Sequence, residues 1–283
     1  MRLQGAVTQG SVAINEDGFG TIGPLENISA AWIFDGVTGI NGQHYLPGSS
    51  DAKWLVERAH SHLLKLSLGE MLLADILSAL VEALVLDWSL VSADLHLPPD
   101  YDPPAACLTM VKRYGRSWQA VRLGDSSLLA QQEDGSITAF PASSNNSFDR
   151  WISAEANKRR AMGINNVSEL MAEFRPHLLA ARNGRNTADG YSILEADPVA
   201  TRFAEFLHLG EPTAILLCTD GFYRAVDHYG LYNDPSLMAR CMERDSVVDV
   251  LKEIRVAEAS DPLCEKYFRF KAADDATALA LHI

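Results

Sequence analysis

The sequence lacks the marks of a zinc protein, a disulfide scaffold, a nucleic-acid binder and a membrane span. Only four cysteines occur, Cys107, Cys218, Cys241 and Cys264, and no two fall in a C-x-x-C spacing. A structural zinc site or a disulfide framework is therefore not expected. Cys107 and Cys218 lie inside apolar runs, where a thiol behaves as a small core residue. Basic residues are outnumbered, 24 against 37 acidic ones, for a net charge of -13. That balance argues against a nucleic-acid backbone or an anionic membrane surface as the main partner. The most apolar long stretch, residues 71–91, is interrupted by Asp75, Glu82 and Asp87. Each would be costly in lipid, so the stretch reads as an amphipathic helix with one wide buried face. The opening "MRLQGAVTQG" has no signal-peptide core, which makes a cytoplasmic location the default expectation. No internal repeat, low-complexity tract or coiled-coil heptad is visible, and a monomer is expected. The spaced glycines of "GVTGING" lack both the Lys-Ser/Thr ending of a P-loop and the spacing of a dinucleotide fingerprint.

What is present is ample apolar material, 47% of 283 residues, arranged in two different periods. Residues 50–66 begin with Ser-Asp, suited to an N-cap, and place Leu55, Ala59 and Leu63 on one helical face. With residues 71–91 they predict two long helices joined around Ser67 to Glu70. His60 and His62, on the first of these, read as ordinary surface or half-buried histidines. From residue 105 the period shortens: "AACLTMVKRY", "SWQAVRL", "SSLLAQQ" and "EDGSITAF" predict an antiparallel meander with a hairpin turn at Asp134-Gly135. Residues 141–212 break the pattern with Asn, Ser, Arg and Gly, predicting an irregular or helical flap. A strand "AILLCTDG", a helical region from about Pro235 to Glu258 and a closing strand "ATALALHI" follow. This order fits an α+β sandwich with sheets inside and helices outside.

Carboxylates recur where strands end. "AILLCTDGFYRAV" runs an apolar strand into Asp220 and Gly221, and "AAWIFDGVTG" does the same at Asp35 and Gly36. A charge at the end of a buried strand needs a partner, either a backbone amide at the turn or a metal ion. Glu16 and Asp17 in "INEDGFG" and Asp274 and Asp275 in "AADDATALALHI" add two more acidic clusters beside strand-like segments. All four clusters are far apart in sequence, and only folding can bring them together.

The order of these motifs resembles that of the metal-dependent protein phosphatases of the PP2C type, or PPM family, in its bacterial form. The matching stretches are "NEDGFG", "FDGVTG", "VRLGDSSLLA", "LLCTDGFYRAV" and "DDATALAL", with the two helices between the second and third. The resemblance implies one domain over 1–283, a four-layer α/β/β/α sandwich of two antiparallel sheets flanked by helices, with the flap of 141–212 inserted. It implies hydrolysis of phosphoserine and phosphothreonine in proteins by a water bridging two divalent cations, Mn²⁺ or Mg²⁺. The implied substrate is a phosphoprotein, the target of a Ser/Thr kinase. By motif position, Asp35 would bridge both ions and Gly36 would lend its carbonyl. Asp220 and Asp274 would bind the other ion, with Asp275 as the fallback for Asp274. Glu16 and Asp17 would hold metal-bound waters, and Asp125 in "GDSS" would help hold a third ion, or else cap a turn. Asp17 and Asp35 are thus the expected catalytic pair.

Two departures from the family pattern stand out. Val12 occupies the usual position of an Arg that clamps the substrate phosphate, a strong bidentate contact, and leaves the phosphate-binding residue unknown. Arg2, Arg182 and Arg185 are the candidate substitutes. Val37 stands where many eukaryotic members carry a His directly after the Gly, so a general acid of that type is missing. The alternative function is a catalytically weak or inactive PP2C-like pseudophosphatase that acts as a binding or regulatory module.

Overall fold

A computed structural model describes residues 2–10, 14–41, 43–66, 68–140, 147–164, 167–267, 269 and 272–283. Two antiparallel sheets form its centre. The first orders its strands β1 (Arg2–Gln9), β11 (Ala276–His282), β10 (Ala214–Cys218), β6 (Ser127–Gln131) and β7 (Ile137–Phe140). The second orders β2 (Gly18–Ile22), β3 (Ala30–Gly36), β4 (Ala105–Tyr114), β5 (Ser117–Leu123) and β9 (Glu205–Gly210), with β8 (Leu194–Glu195) also paired to β4.

Side-chain alternation explains the layers, because successive residues of a strand point to opposite faces. Ala31 and Ile33 of β3, Ile215 and Leu217 of β10, and Leu279 and Leu281 of β11 fill the space between the sheets with Trp118 and Leu128. Their neighbours Trp32 and Phe34 point the other way, against α1 (Asp51–Lys65) and α2 (Leu73–Ser92). On the first sheet Leu216, Cys218, Ala278 and Ala280 point outward to α5 (Asp220–Asp227), α6 (Asp234–Cys241) and α7 (Ser246–Ala259). The small alanines let those helices lie close. The result is the four-layer α/β/β/α sandwich, in which each fully buried Leu, Ile or Val contributes about 1.5–3 kcal/mol of burial free energy.

Ser50 caps α1 by accepting a hydrogen bond from the Lys53 amide. Asp87 of α2 receives Arg58 at 2.6 Å and His62 at 2.6 Å from α1, so the charge that interrupts the apolar stretch joins the two helices. His60 lies against the Trp32 ring. Among the described residues no helix is long and apolar enough to cross a membrane.

Three features differ from expectation. The irregular or helical flap expected over 141–212 contains two helices, α3 (Ser147–Ala161) and α4 (Val167–Asn183), but also β8 and β9, which belong to the sheet. β9 is an edge strand with most residues exposed or half-exposed, so it carries little apolar alternation. The helical region over Pro235–Glu258 is two helices, because Asp245 turns the chain through a left-handed φ of 60°. The segment after β10 is a helix, α5, that starts at Asp220 itself.

Helices α3 and α4 pack on each other through Ile152, Ala156, Leu170 and Phe174. They are tied to the loop after β3: Arg182 donates to the Thr38 carbonyl at 2.7 Å and Arg175 to the Ile40 carbonyl at 3.4 Å. The flap therefore borders the end of the strand that carries Asp35.

Candidate metal centre

Asp35 lies near the end of β3, paired in register with Cys107 of β4. Across from it the turn between β5 and β6 carries Asp125, whose Oδ1 accepts the Cys107 thiol at 3.0 Å. Gly124 makes this approach possible. Its φ is +89°, and a Cβ there would lie 2.4 Å from the Cys107 sulfur. One ligand atom each of Asp35, Cys107 and Asp125 lies within 4.8 Å of the others. Cys107 is thus buried as expected of a core thiol but also touches the site; burial, Asp125 and Asp35 push its pKa up. Beside this turn a cavity of about 260 Å³ is lined by Arg122, Gly124, Tyr191, Ser192 and Glu205.

Asp220 comes from the other sheet. β10 ends at Cys218, Thr219 occupies the N-cap position of α5 without a side-chain cap, and Asp220 opens the helix, where the exposed amides and the helix dipole favour an anion. Its partner is one turn on: the Arg224 guanidinium lies 3.2 Å from Asp220 and 2.7 Å from Asp274. Thr219 is a junction. Its amide donates to the Thr277 carbonyl at 3.0 Å, its hydroxyl accepts the Thr277 amide at 2.9 Å, and the same hydroxyl donates to Asp17 Oδ2 at 3.0 Å. Gly221 lets α5 approach β11, since a Cβ there would sit 1.9 Å from the Asp275 carbonyl oxygen.

The segment before β2 completes the site. Asp17 is 2% exposed, and its Oδ1 is buried with no hydrogen-bond partner. Gly36 permits its approach, because a Cβ at that position would lie 2.7 Å from the Glu16 carbonyl oxygen.

The electrostatics follow from crowding acids in a buried space. Burial, then the charges of Asp17, Asp220, Asp125 and Asp274, hold the Asp35 carboxyl well above the usual range. Burial pushes Asp17 up to about 8 despite the hydrogen bond from Thr219. Asp220 is raised by burial although Arg224 acts against it. Asp227, at the far end of α5, is raised to about 6 by burial and by Asp220. Such a set, hard oxygen donors with one buried oxygen unpartnered, fits a divalent cation.

The structure brings Asp17, Asp35, Asp125, Asp220 and Asp274 together. Glu16 lies at their edge, where its carboxylate accepts the hydroxyls of Thr38 at 2.6 Å and Ser50 at 2.5 Å. Asp275 accepts the Glu16 amide at 2.8 Å, which ties the end of the chain to its beginning. Of the candidate phosphate clamps, Arg2 pairs with His282 at the end of β11 remote from Asp274, the strand alone spanning about 20 Å between Ala276 and His282, and cannot serve. Arg182 and Arg185 are committed to Asp102, Arg185 at 2.5 Å, and serve to fasten the flap. Val12 lies outside the described residues. Val37 packs against Ala105, Cys107 and Ile193. Arg224, Thr219 and the site role of Cys107 are not anticipated from sequence. For Arg224 the signal is its spacing of four residues from Asp220, meaningful only once a helix is known to start there.

The family model described as protein phosphatase 2C matches residues 5–254. The chain belongs to the protein phosphatase 2C family. Among solved structures of this fold, the Mycobacterium tuberculosis serine/threonine phosphatase PstP/Ppp is similar at 16% identity and TM-score 0.55, covering 99% of this chain and 97% of that one. The catalytic domain of PstP in complex with 2 manganese ions is similar at 14% identity and TM-score 0.53, covering 98% and 95%. The Staphylococcus aureus serine/threonine phosphatase Stp1 is similar at 14% identity and TM-score 0.52, covering 100% and 97%. These likenesses concern the fold. No curated protein matches the sequence significantly.

Proposed function

We propose that this PP2C-family protein is an active phosphatase that hydrolyses phosphoserine and phosphothreonine in proteins with two divalent cations, Mn²⁺ or Mg²⁺. The observation that carries the reading is the meeting of five carboxylates from five separate segments, one of them with a buried oxygen that has no donor. Asp35, the Gly36 carbonyl, Asp220 and Asp274 are assigned as the residues that hold the two ions, and Asp125 is assigned to help hold a third. When bound, such ions supply Lewis-acid charge that acidifies water and neutralises phosphate oxygens. Asp17 is assigned to accept a proton from the attacking water once bound cations have displaced its own, because Thr219 fixes one of its oxygens and the other has no donor. Glu16 and Asp275 position that segment through Thr38, Ser50 and the Glu16 amide. Asp220 keeps 41% of its side-chain surface open, which sets the direction from which a phosphate can enter.

The test is hydrolysis of para-nitrophenyl phosphate and of a phosphothreonine peptide with Mn²⁺, with Mg²⁺ and with EDTA. Turnover should require metal, and Asp35→Asn and Asp220→Asn should each lower it by at least about 100-fold, the loss of several kcal/mol of charge stabilisation. Turnover that persists in EDTA, or is unchanged in both variants, would overturn the assignment. No turnover with either metal, while Mn²⁺ still binds, would select the alternative of a pseudophosphatase that binds rather than cleaves.

A further inference from the structure

Arg224 places a cation on two of the carboxylates assigned above to metal. Its guanidinium reaches Asp274 at 2.7 Å and Asp220 at 3.2 Å, bridging residues that are 54 positions apart in the chain by their numbers. It is anchored on α5 one turn after Asp220, so its fork lies back over the opening of the helix. Burial opposes its charge, but Asp220 and Asp274 together hold the proton more firmly than on a free arginine. The charges that act most strongly on Asp35, by contrast, are all carboxylates. The site is therefore uneven: one pair of acids has a counter-ion supplied by the chain, and Asp35 feels mainly its own kind.

A guanidinium and a divalent cation cannot share the same oxygens, because two desolvated positive charges at that distance repel strongly. We propose that Arg224 is a tethered competitor for the Asp220–Asp274 seat. Metal enters that seat only when Arg224 turns away, and its side chain, 23% exposed, has a path to solvent. The seat then binds metal more weakly than the one built on Asp35, and its loading depends more steeply on metal concentration. Arg224 is a positioning residue in this role, acting on the carboxylates rather than on substrate. The inference rests on the two-cation reading above.

Calorimetric titration of Mn²⁺ into the wild-type chain, Arg224→Gln and Arg224→Lys tests it without measuring turnover. Arg224→Gln should strengthen the weaker binding step on the order of tenfold, a usual size for coupling between two bound groups. Arg224→Lys should fall between, since an ammonium can pair with one carboxylate but lacks the fork that spans two. Circular dichroism reports whether each variant is folded; if Arg224→Gln is not, wild type against Arg224→Lys carries the test. Equal or weaker affinity in the folded variants would overturn the role of Arg224 and leave the two-cation reading standing. Absence of Mn²⁺ binding in all three proteins would overturn both.

Discussion

Raising the pH from 5 to 7 in EDTA should destabilise the folded chain, and the effect should trace to Asp17. Burial lifts its carboxyl to about 8, with the charges of Asp275 and Asp220 adding to the rise. In the unfolded chain an Asp titrates near 3.9. Between those values the folded protein holds a proton that the unfolded chain has released. This contribution is therefore complete below about pH 4 and is lost as the pH climbs towards 8. One proton corresponds to about 1.4 kcal/mol per pH unit, so Asp17 alone accounts for about 3 kcal/mol between pH 5 and 7. Asp35 is shifted in the same direction and adds to it. At roughly 2 °C per kcal/mol for a chain of this size, Tm should fall by about 6 °C. The assay is thermal unfolding by circular dichroism in EDTA at pH 5, 6 and 7, with Asp17→Asn as the control that cannot release this proton. Excess Mn²⁺ should reverse the slope, because cations bind the ionised carboxylates. An equal pH slope in wild type and Asp17→Asn, or stability that rises from pH 5 to 7 in EDTA, would refute the reasoning.

Thr219→Val should cost about 2 kcal/mol in chemical denaturation, since it removes the donor to Asp17 and leaves the buried Thr277 amide without an acceptor. It should also weaken Mn²⁺ binding measured by calorimetry. Asp102→Asn should leave Arg182 and Arg185 without their shared carboxylate and cost about 3 kcal/mol. Limited proteolysis should then cut within α3 and α4 faster while Mn²⁺ affinity stays unchanged; equal cleavage rates would show that the flap is held by other contacts.

Much of the fold is legible in the sequence where a segment's own pattern reports its surroundings. The alternation of Ala31, Trp32, Ile33 and Phe34 marks a strand covered on both faces, and that is what β3 is. The Ser-Asp start of α1 and the Asp134-Gly135 turn are likewise local signals. β9 escapes detection because an edge strand buries little, so its sequence is not forced to alternate. The flap reads only as irregular or helical, without two defined helices, because α3 and α4 bury only a small cluster against each other.

The candidate site divides in the same way. By itself the sequence determined which acids end strands or precede them, because a turn and a carboxylate leave a local signature at Asp35, Asp220 and Asp274. Only the tertiary structure decided how those acids are partnered. The Glu16 amide and the Asp275 carboxylate are 259 residues apart, and Thr219 reaches Asp17 across 202. Whether Arg224 faces solvent or bridges two acids depends on α5 beginning at Asp220 and on β11 lying beside it. Local sequence sets which face a residue presents, whereas the energies of burial and charge that give the site its character depend on what other segments place beside it.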